Sequence, residues 1–303
     1  MEARWIWFYG DFEIYHNLLL HTRRKERDYV HPPFWKIDNC RHNVLFKKNF
    51  DTDKEEKITA YAQGSGMLNI DGKRYPFEKE ITIPPGKHTI AVPIINHSGL
   101  PCLLIEGKSI FTDESWEVIN RGSESGSAGS SELYTTPKDN PQIFKFKYVK
   151  LNPFTVESTG GGVLYDFGRE TFAKLVFEKI KHELTVYCGE SLEEVLDSEN
   201  CYLYDTLHRT GDKIELSARA FRYVFINAEP GEFNLTAYFE YLPVENKATF
   251  RCSDELINKI WDTSIYTFKL NSREFYLDGI KRDRWVWSGD AFQSYLIDRY
   301  CFF

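Results

Sequence analysis

The hydrophobic period of this chain changes once, near residue 250, and that change constrains the fold more than any other feature. Ahead of it, apolar residues alternate or come in short runs, punctuated by Gly and Pro. Alternation places side chains on opposite faces of a strand. Lys57 to Ala62, Met67 to Ile70, Arg74 to Phe77, Ile81 to Ile83 and His88 to Ile95 read as strands. Asp71-Gly72 joins two of them as a hairpin loop, because such a loop needs residues that tolerate positive φ. Pro84-Pro85-Gly86 marks a further turn. From residue 1 to about 110 the pattern predicts a β-sandwich of jelly-roll type.

The β pattern resumes from about 141 to 247. Phe144 to Val149, Leu164 to Phe167, Lys174 to Phe177, Leu184 to Cys188, Lys213 to Leu216, Tyr223 to Asn227 and Leu235 to Tyr241 read as the strands of a second sandwich. Between the two regions, Gly122-Ser123-Glu124-Ser125-Gly126-Ser127-Ala128-Gly129-Ser130-Ser131 holds too little apolar surface to fix itself, and reads as a linker or a long mobile loop. Past 250 the period becomes helical. Ser253 or Asp254 is placed to cap a helix whose apolar stripe is Ile257, Ile260, Trp261, Ile265 and Phe268. A loop from about 272 to 289 follows, and then a second helix with Asp290 at its cap and Phe292, Tyr295 and Leu296 on one face.

With 303 residues, two or three domains are expected. We divide the chain at 1–140, 141–247 and 248–303. A lone helical hairpin has little against which to bury its stripe. The last segment is therefore expected to be a portion of something larger, or to dock on a sandwich or a partner. An unpaired stripe would be an association surface.

The net charge of −7 argues against nucleic acid, which needs a basic face. The short run Arg23, Arg24, Lys25 and Arg27 reads as a solvated surface. Six scattered cysteines lack CxxC spacing and read as reduced, mostly buried thiols. No apolar run of about 18 residues is present, so no membrane span is expected. The start lacks the regions of a signal peptide, which predicts a cytoplasmic protein, or a periplasmic one if a signal has been removed. His31, His42 and His208 have no partner pattern and are not read as ligands or catalysts. Glu190, Glu193, Glu194 and Asp197 read as a solvated acidic loop, with calcium as the alternative. No cofactor or metal is expected.

The chemistry-bearing stretch is Asp278 to Asp290. It packs three carboxylates, three cations and two tryptophans between the two helices. Acids and aromatics together are what a sugar-processing site needs. Read alone, each residue has a plainer role. Asp290 suits a helix cap, Asp283 an ion pair with Arg282 or Arg284, and Trp287 a core.

Asp278-x-x-x-Arg282-Asp283-Arg284-x-x-Trp287-x-Gly289-Asp290 resembles the D-x-P-x-R-E-R-x-x-W-x-G-D motif of bacterial α-L-rhamnosidases. Leu164 to Arg169, Gly189 to Leu192 and Ala220 to Val224 are similar to that family's sandwich ahead of the barrel. Phe250 to Trp261 is similar to the entry into its first barrel helix. This chain has Asp283 where the motif usually has Glu, and Ile280 where it has Pro. The resemblance implies a mainly β protein, with two jelly-roll-like sandwiches followed by the first helices of a truncated (α/α)6 barrel.

It also implies an inverting glycoside hydrolase acting on terminal α-L-rhamnosyl bonds of an oligosaccharide or glycoside. Asp283 would be the general acid. Asp278 and Asp290 would accept hydrogen bonds from sugar hydroxyls, Trp287 would form an apolar wall, and Arg282 and Arg284 would orient the carboxylates. Inversion needs a second carboxylate about 6.5–9.5 Å from the first, to activate water. In the family that base lies later in the barrel, so this chain alone is expected to be inactive. The alternatives are a non-catalytic carbohydrate-binding or scaffold module, and a six-hairpin glycosidase for another sugar.

Overall fold

The computed structural model describes residues 2–22, 39–120, 124–208, 213–281 and 284–302. The basic run at 23–27, His31, and both Arg282 and Asp283 lie outside the described residues. The chain forms two compact units, which meet in sequence between Lys145 and Phe146.

The first unit contains β1 (Ile6–Trp7), α1 (Asp11–Thr22), β2 (Asn43–Thr52), β3 (Glu56–Gln63), β4 (Ser65–Gly66), β5 (Leu68–Ile70), β6 (Lys73–Tyr75), β7 (Glu80–Ile83), β8 (Gly86–Ile95), β9 (Cys102–Glu106), β10 (Glu117–Asn120), β11 (Ser125–Ser127) and β12 (Gly129–Ser130). Among the described residues these strands make two antiparallel sheets, ordered β12-β1-β9-β3-β7 and β11-β10-β2-β8-β5-β6, with β4 also on β8. Alternate residues of each sheet share one core. Ile58, Ala60, Leu103 and Ile105 come from the first sheet, and Val44, Phe46, Ile90 and Val92 from the second. This is the sandwich that the alternation predicts. The Asp71-Gly72 loop has φ of 50° and 85°, so both positions are left-handed, as a tight hairpin of this twist requires.

Two expectations for this unit are corrected. The Gly/Ser stretch is not a linker where it is described. Ser125–Ser127 pairs with β10, and Gly129–Ser130 pairs with β1. Its small residues admit aromatic rings. A Cβ on Gly126 would lie 2.5 Å from the Tyr9 ring, and one on Gly129 would lie 2.7 Å from Trp7 Nε1. The apolar surface that the segment lacks is thus supplied by its neighbours. The second correction is α1, which sits in a region read as wholly β. Phe12 of α1 stacks on Trp7 at 4.7 Å, beside Trp5, Cys102, Leu104 and Tyr134. The five-stranded sheet is therefore covered on both faces, which explains the unbroken apolar run of β9.

The second unit contains β13 (Lys147–Leu151), β14 (Thr155–Thr159), β15 (Gly162–Glu178), β16 (Leu184–Gly189), α2 (Leu192–Leu196), β17 (Leu203–Leu207), β18 (Lys213–Ile226), β19 (Asn234–Tyr241), α3 (Glu255–Asn271) and α4 (Ser288–Cys301). Its described strands join in one antiparallel sheet, ordered β13-β19-β15-β18-β16-β17, with β14 on β15. Two pairs of expected strands are in fact single long ones. Leu164 to Phe167 and Lys174 to Phe177 both belong to β15, and Lys213 to Leu216 and Tyr223 to Ile226 both belong to β18. Their register shifts between Asp166 and Thr171, where Gly168 takes φ of 78° and its N–H meets Asp166 Oδ1 at 2.6 Å. Such a bulge bends a strand. Both ends of β15 reach one core through Val163, Phe167, Ala173, Leu175 and Phe177.

The opposite face of the bent strands positions the site. Phe172, Ala218 and Ala220 pack there with Leu270 of α3 and with Ile280. The helical hairpin thus docks on the sheet through part of its apolar surface. Leu256, Ile257 and Ile260 of α3 stay exposed, as do Phe292, Tyr295, Ile297 and Tyr300 of α4. All six cysteines are free thiols, and four are buried. No helix among the described residues is long and apolar enough to cross a membrane.

Candidate functional site

Local chemistry delivers the chain to the acid loop. Asp254 caps α3, accepting from the N–H of Leu256 at 2.8 Å and of Ile257 at 3.5 Å. At the other end, Ser272 N–H and Oγ both donate to Phe268 O, at 2.9 and 2.8 Å. These bonds occupy a carbonyl that the helix leaves open. Leu277 N–H then returns to Asn271 O at 3.0 Å.

Asp278 closes the loop on itself. Its N–H donates to Trp285 O at 3.0 Å, and Trp285 N–H donates to Asp278 Oδ1 at 2.9 Å. The Trp287 indole N–H donates to Asp278 Oδ2 at 3.2 Å. One carboxylate therefore fixes both tryptophans, while each oxygen keeps a second lone pair. Trp287 is 47% exposed, so its indole is open to a ligand rather than packed in a core.

Asp290 is not the cap of α4. Trp287 holds the cap position without a side-chain bond, and Asp290 stands in the first turn. A carboxylate there meets the positive end of the helix dipole. Asp278 and Asp290 line one cleft of about 640 Å³ between α3 and α4, together with Ser264, Thr267, Asn271 and Gln293. Of the sequence-predicted site residues, Asp278, Trp287 and Asp290 are thus neighbours, and Arg282 and Asp283 lie outside the described residues. Hydroxyl, amide and carboxylate groups beside an exposed indole suit a polyol with an apolar ring face.

Three contacts tie the loop to the rest of the second unit, and sequence reasoning missed each. Ile280 is buried against Phe172, Ala218 and Ala220, so the departure from Pro adds an apolar anchor. Arg284, expected to orient carboxylates, is only 4% exposed, and its guanidinium lies 4.9 Å from the Phe172 ring centre. It adopts φ of 48°, a left-handed conformation that costs a non-glycine residue about 1 kcal/mol or more. Lys281 Nζ donates to both oxygens of Glu194 at 2.7 Å and to Glu190 at 3.4 Å. The acidic run is therefore not simply solvated. Among the described residues no cluster of His, Cys, Asp or Glu is arranged for a metal. Only the Ser191-x-x-Glu194 spacing, a helix-start signature, hinted at order in that run.

Glu170, on the bent part of β15, lies behind this cluster. Burial, reinforced by Glu190 and Glu194, pushes its carboxyl up to about 8. Its Oε1 has no hydrogen-bond partner among the described residues. An ordinary glutamate titrates at 4.5. Between these values the folded state holds a proton that the unfolded state has released. The contribution is complete below the unfolded value and is lost as pH rises through about 8. Glu170→Gln removes this loss. Urea unfolding at pH 9 should find the variant more stable than the parent by roughly 1–3 kcal/mol, with little difference at pH 4. A variant no more stable than the parent at pH 9 would contradict this account.

Comparison with known families agrees with the order of the elements. Residues 44–226 match the family described as alpha-rhamnosidase-like, bacteroidetes, N-terminal. Residues 245–302, which contain the acid loop, match the bacterial alpha-L-rhamnosidase 6 hairpin glycosidase domain. No curated protein sequence matches. Among solved structures, the chain is similar to an alpha-L-rhamnosidase from Dictyoglumus thermophilum at 19% identity and a TM-score of 0.43, over 99% of this chain and 42% of that one. A Streptomyces avermitilis alpha-L-rhamnosidase complexed with L-rhamnose aligns at 14% identity and a TM-score of 0.38, over 88% of this chain and 37% of that one. A Klebsiella oxytoca rhamnosidase with rhamnose bound aligns at 22% identity and a TM-score of 0.41, over 49% and 34%. This chain therefore spans less than half the length of each. A β-rich region matched over more than half the chain, leading into a hairpin-domain match around the acid loop, makes this chain a member of the alpha-rhamnosidase-like family.

Proposed function

We propose that this chain is the N-terminal portion of a glycoside hydrolase that removes terminal α-L-rhamnose by inverting hydrolysis. The observation that carries the reading is the acid loop, which falls within the hairpin-domain match and brings Asp278 and Asp290 to one cleft beside the Trp287 indole. In this reading Asp283 protonates the glycosidic oxygen as the bond breaks. Asp278 and Asp290 accept hydrogen bonds from sugar hydroxyls, Arg282 adds donors, and Trp287 lies against the apolar face of the ring. Acid protonation and water activation suffice for this chemistry. Residues 1–140 and 141–247 serve as sandwiches that support the barrel begun at 248–303. In this reading the general base comes from a later part of the barrel.

The test is a panel of aryl glycosides offered to this chain carried on into a complete barrel. The α-L-rhamnoside should be cleaved fastest, and proton NMR should show β-L-rhamnose as the first product, because inversion of an α bond gives the β anomer. Faster cleavage of another sugar, or α-L-rhamnose appearing first, would overturn the assignment.

A further inference from the structure

We infer that Lys281 is a positioning residue, whose ion pair with Glu194 and Glu190 fixes the acid loop on the second unit and so sets Asp278 and Trp287 for the sugar. The inference rests on the function proposed above.

Lys281 immediately precedes Arg282-Asp283, at a position that the motif leaves unspecified. Its neighbours are anchored differently. Ile280 is held by apolar packing, which has no direction. Arg284 is held over a phenyl ring. Lys281 makes the directed contacts, two at 2.7 Å to the Glu194 carboxylate and one at 3.4 Å to Glu190. An exposed lysine–glutamate pair restrains little, because solvent screens it and both side chains lose freedom. Here the Lys281 and Glu194 side chains are only 16% and 20% exposed, so screening is weaker.

Glu194 is itself fixed before it meets the lysine. Its N–H donates to Ser191 Oγ at 3.2 Å, and its Oε2 accepts from Glu190 N–H at 3.0 Å. Gly189 leaves the space for this. A Cβ there would lie 2.8 Å from Val195 and 2.9 Å from Glu194 Oε2. A preset acceptor spares the ion pair part of its ordering cost, and an anchor between Asp278 and Trp285 holds the loop that those two residues close. Positioning of this kind matters because a misplacement of about 1 Å can cost about 10²-fold in rate.

Hydrogen exchange of this chain reads the anchor without any assay of activity. The probes are the amides of Asp278 and Trp285, which close the loop. Lys281→Met should speed their exchange about tenfold, a factor set by losing a half-buried ion pair. Cys188 and Val224, paired in the sheet, should exchange as before, and Lys281→Arg should restore the loop. Unchanged exchange at Asp278 and Trp285 in Lys281→Met would overturn the anchor. In the protein with a complete barrel, the same variant should lower kcat about tenfold, with KM within about twofold. Accelerated exchange with unchanged kcat would overturn the positioning role. Failure of the functional reading is distinguishable, since it would show as full hydrolysis by Asp283→Asn in that assay.

Discussion

Asp283→Asn is expected to lower kcat for an α-L-rhamnoside by roughly 10²–10⁴-fold, with KM changed by less than about threefold. Asn keeps the shape of Asp and removes the proton that the leaving oxygen needs. The loss should grow with the basicity of the leaving group. A nitrophenyl rhamnoside, whose phenolate leaves with little help, should suffer least, and a rhamnosyl disaccharide most. That gradient separates loss of an acid from a distorted loop, which would slow all substrates alike. Asp283→Glu supplies the residue that the family motif usually carries and moves the carboxyl about 1.5 Å outward. It should retain activity where Asn does not. Asn-variant rates equal to the parent on every leaving group would remove Asp283 as the acid.

Arg273→Met is expected to destabilise the second unit by about 3–5 kcal/mol, because it strands a buried carboxylate. Arg273 and Glu240 are 5% and 7% exposed. The guanidinium pairs with Glu240 Oε1 through Nη2 and donates to the Glu240 backbone oxygen at 2.9 Å through Nη1. Tyr148 OH holds the other carboxylate oxygen at 2.5 Å. Phe146 and Phe172 lie 4.0 and 4.4 Å from the guanidinium carbon. Burial weakens the hold of Arg273 on its proton, while the Glu240 carboxylate opposes that shift. The pair is thus costly to form and more costly to break. Removing both charges, in Arg273→Met with Glu240→Leu, should restore about 1–3 kcal/mol relative to Arg273→Met alone. Urea unfolding measures all three. A single-variant loss below about 1 kcal/mol would mean that the pair is solvated in solution.

Much of this architecture was legible because its determinants are local. The Asp71-Gly72 turn, the Asp254 cap and the helical period after it each depend on residues a few positions apart. Local reading failed where a distant neighbour decided the outcome. β11 and β12 carry no apolar signal, since Tyr9 and Trp7 provide the surface that holds them. β15 was read as two strands because Gly168-Arg169-Glu170 interrupts its pattern at the bulge. At the candidate site, Asp278 and Asp290 stood out through the family motif, and the fold brings them to one cleft. The anchors did not stand out. Lys281 and Glu194 are 87 positions apart, and Arg273 and Glu240 are 33 apart. Nothing in the spacing of a single sequence pairs them.

Aryl α-L-rhamnoside hydrolysis by this chain, measured beside the same chain continued through a complete barrel, tests the central claim most directly. The account predicts rhamnose release only by the longer protein, because it assigns the acid to this loop and the base to a later part of the barrel. Turnover by this chain alone at a comparable rate would contradict that division. So would a folded, complete-barrel protein that releases no rhamnose.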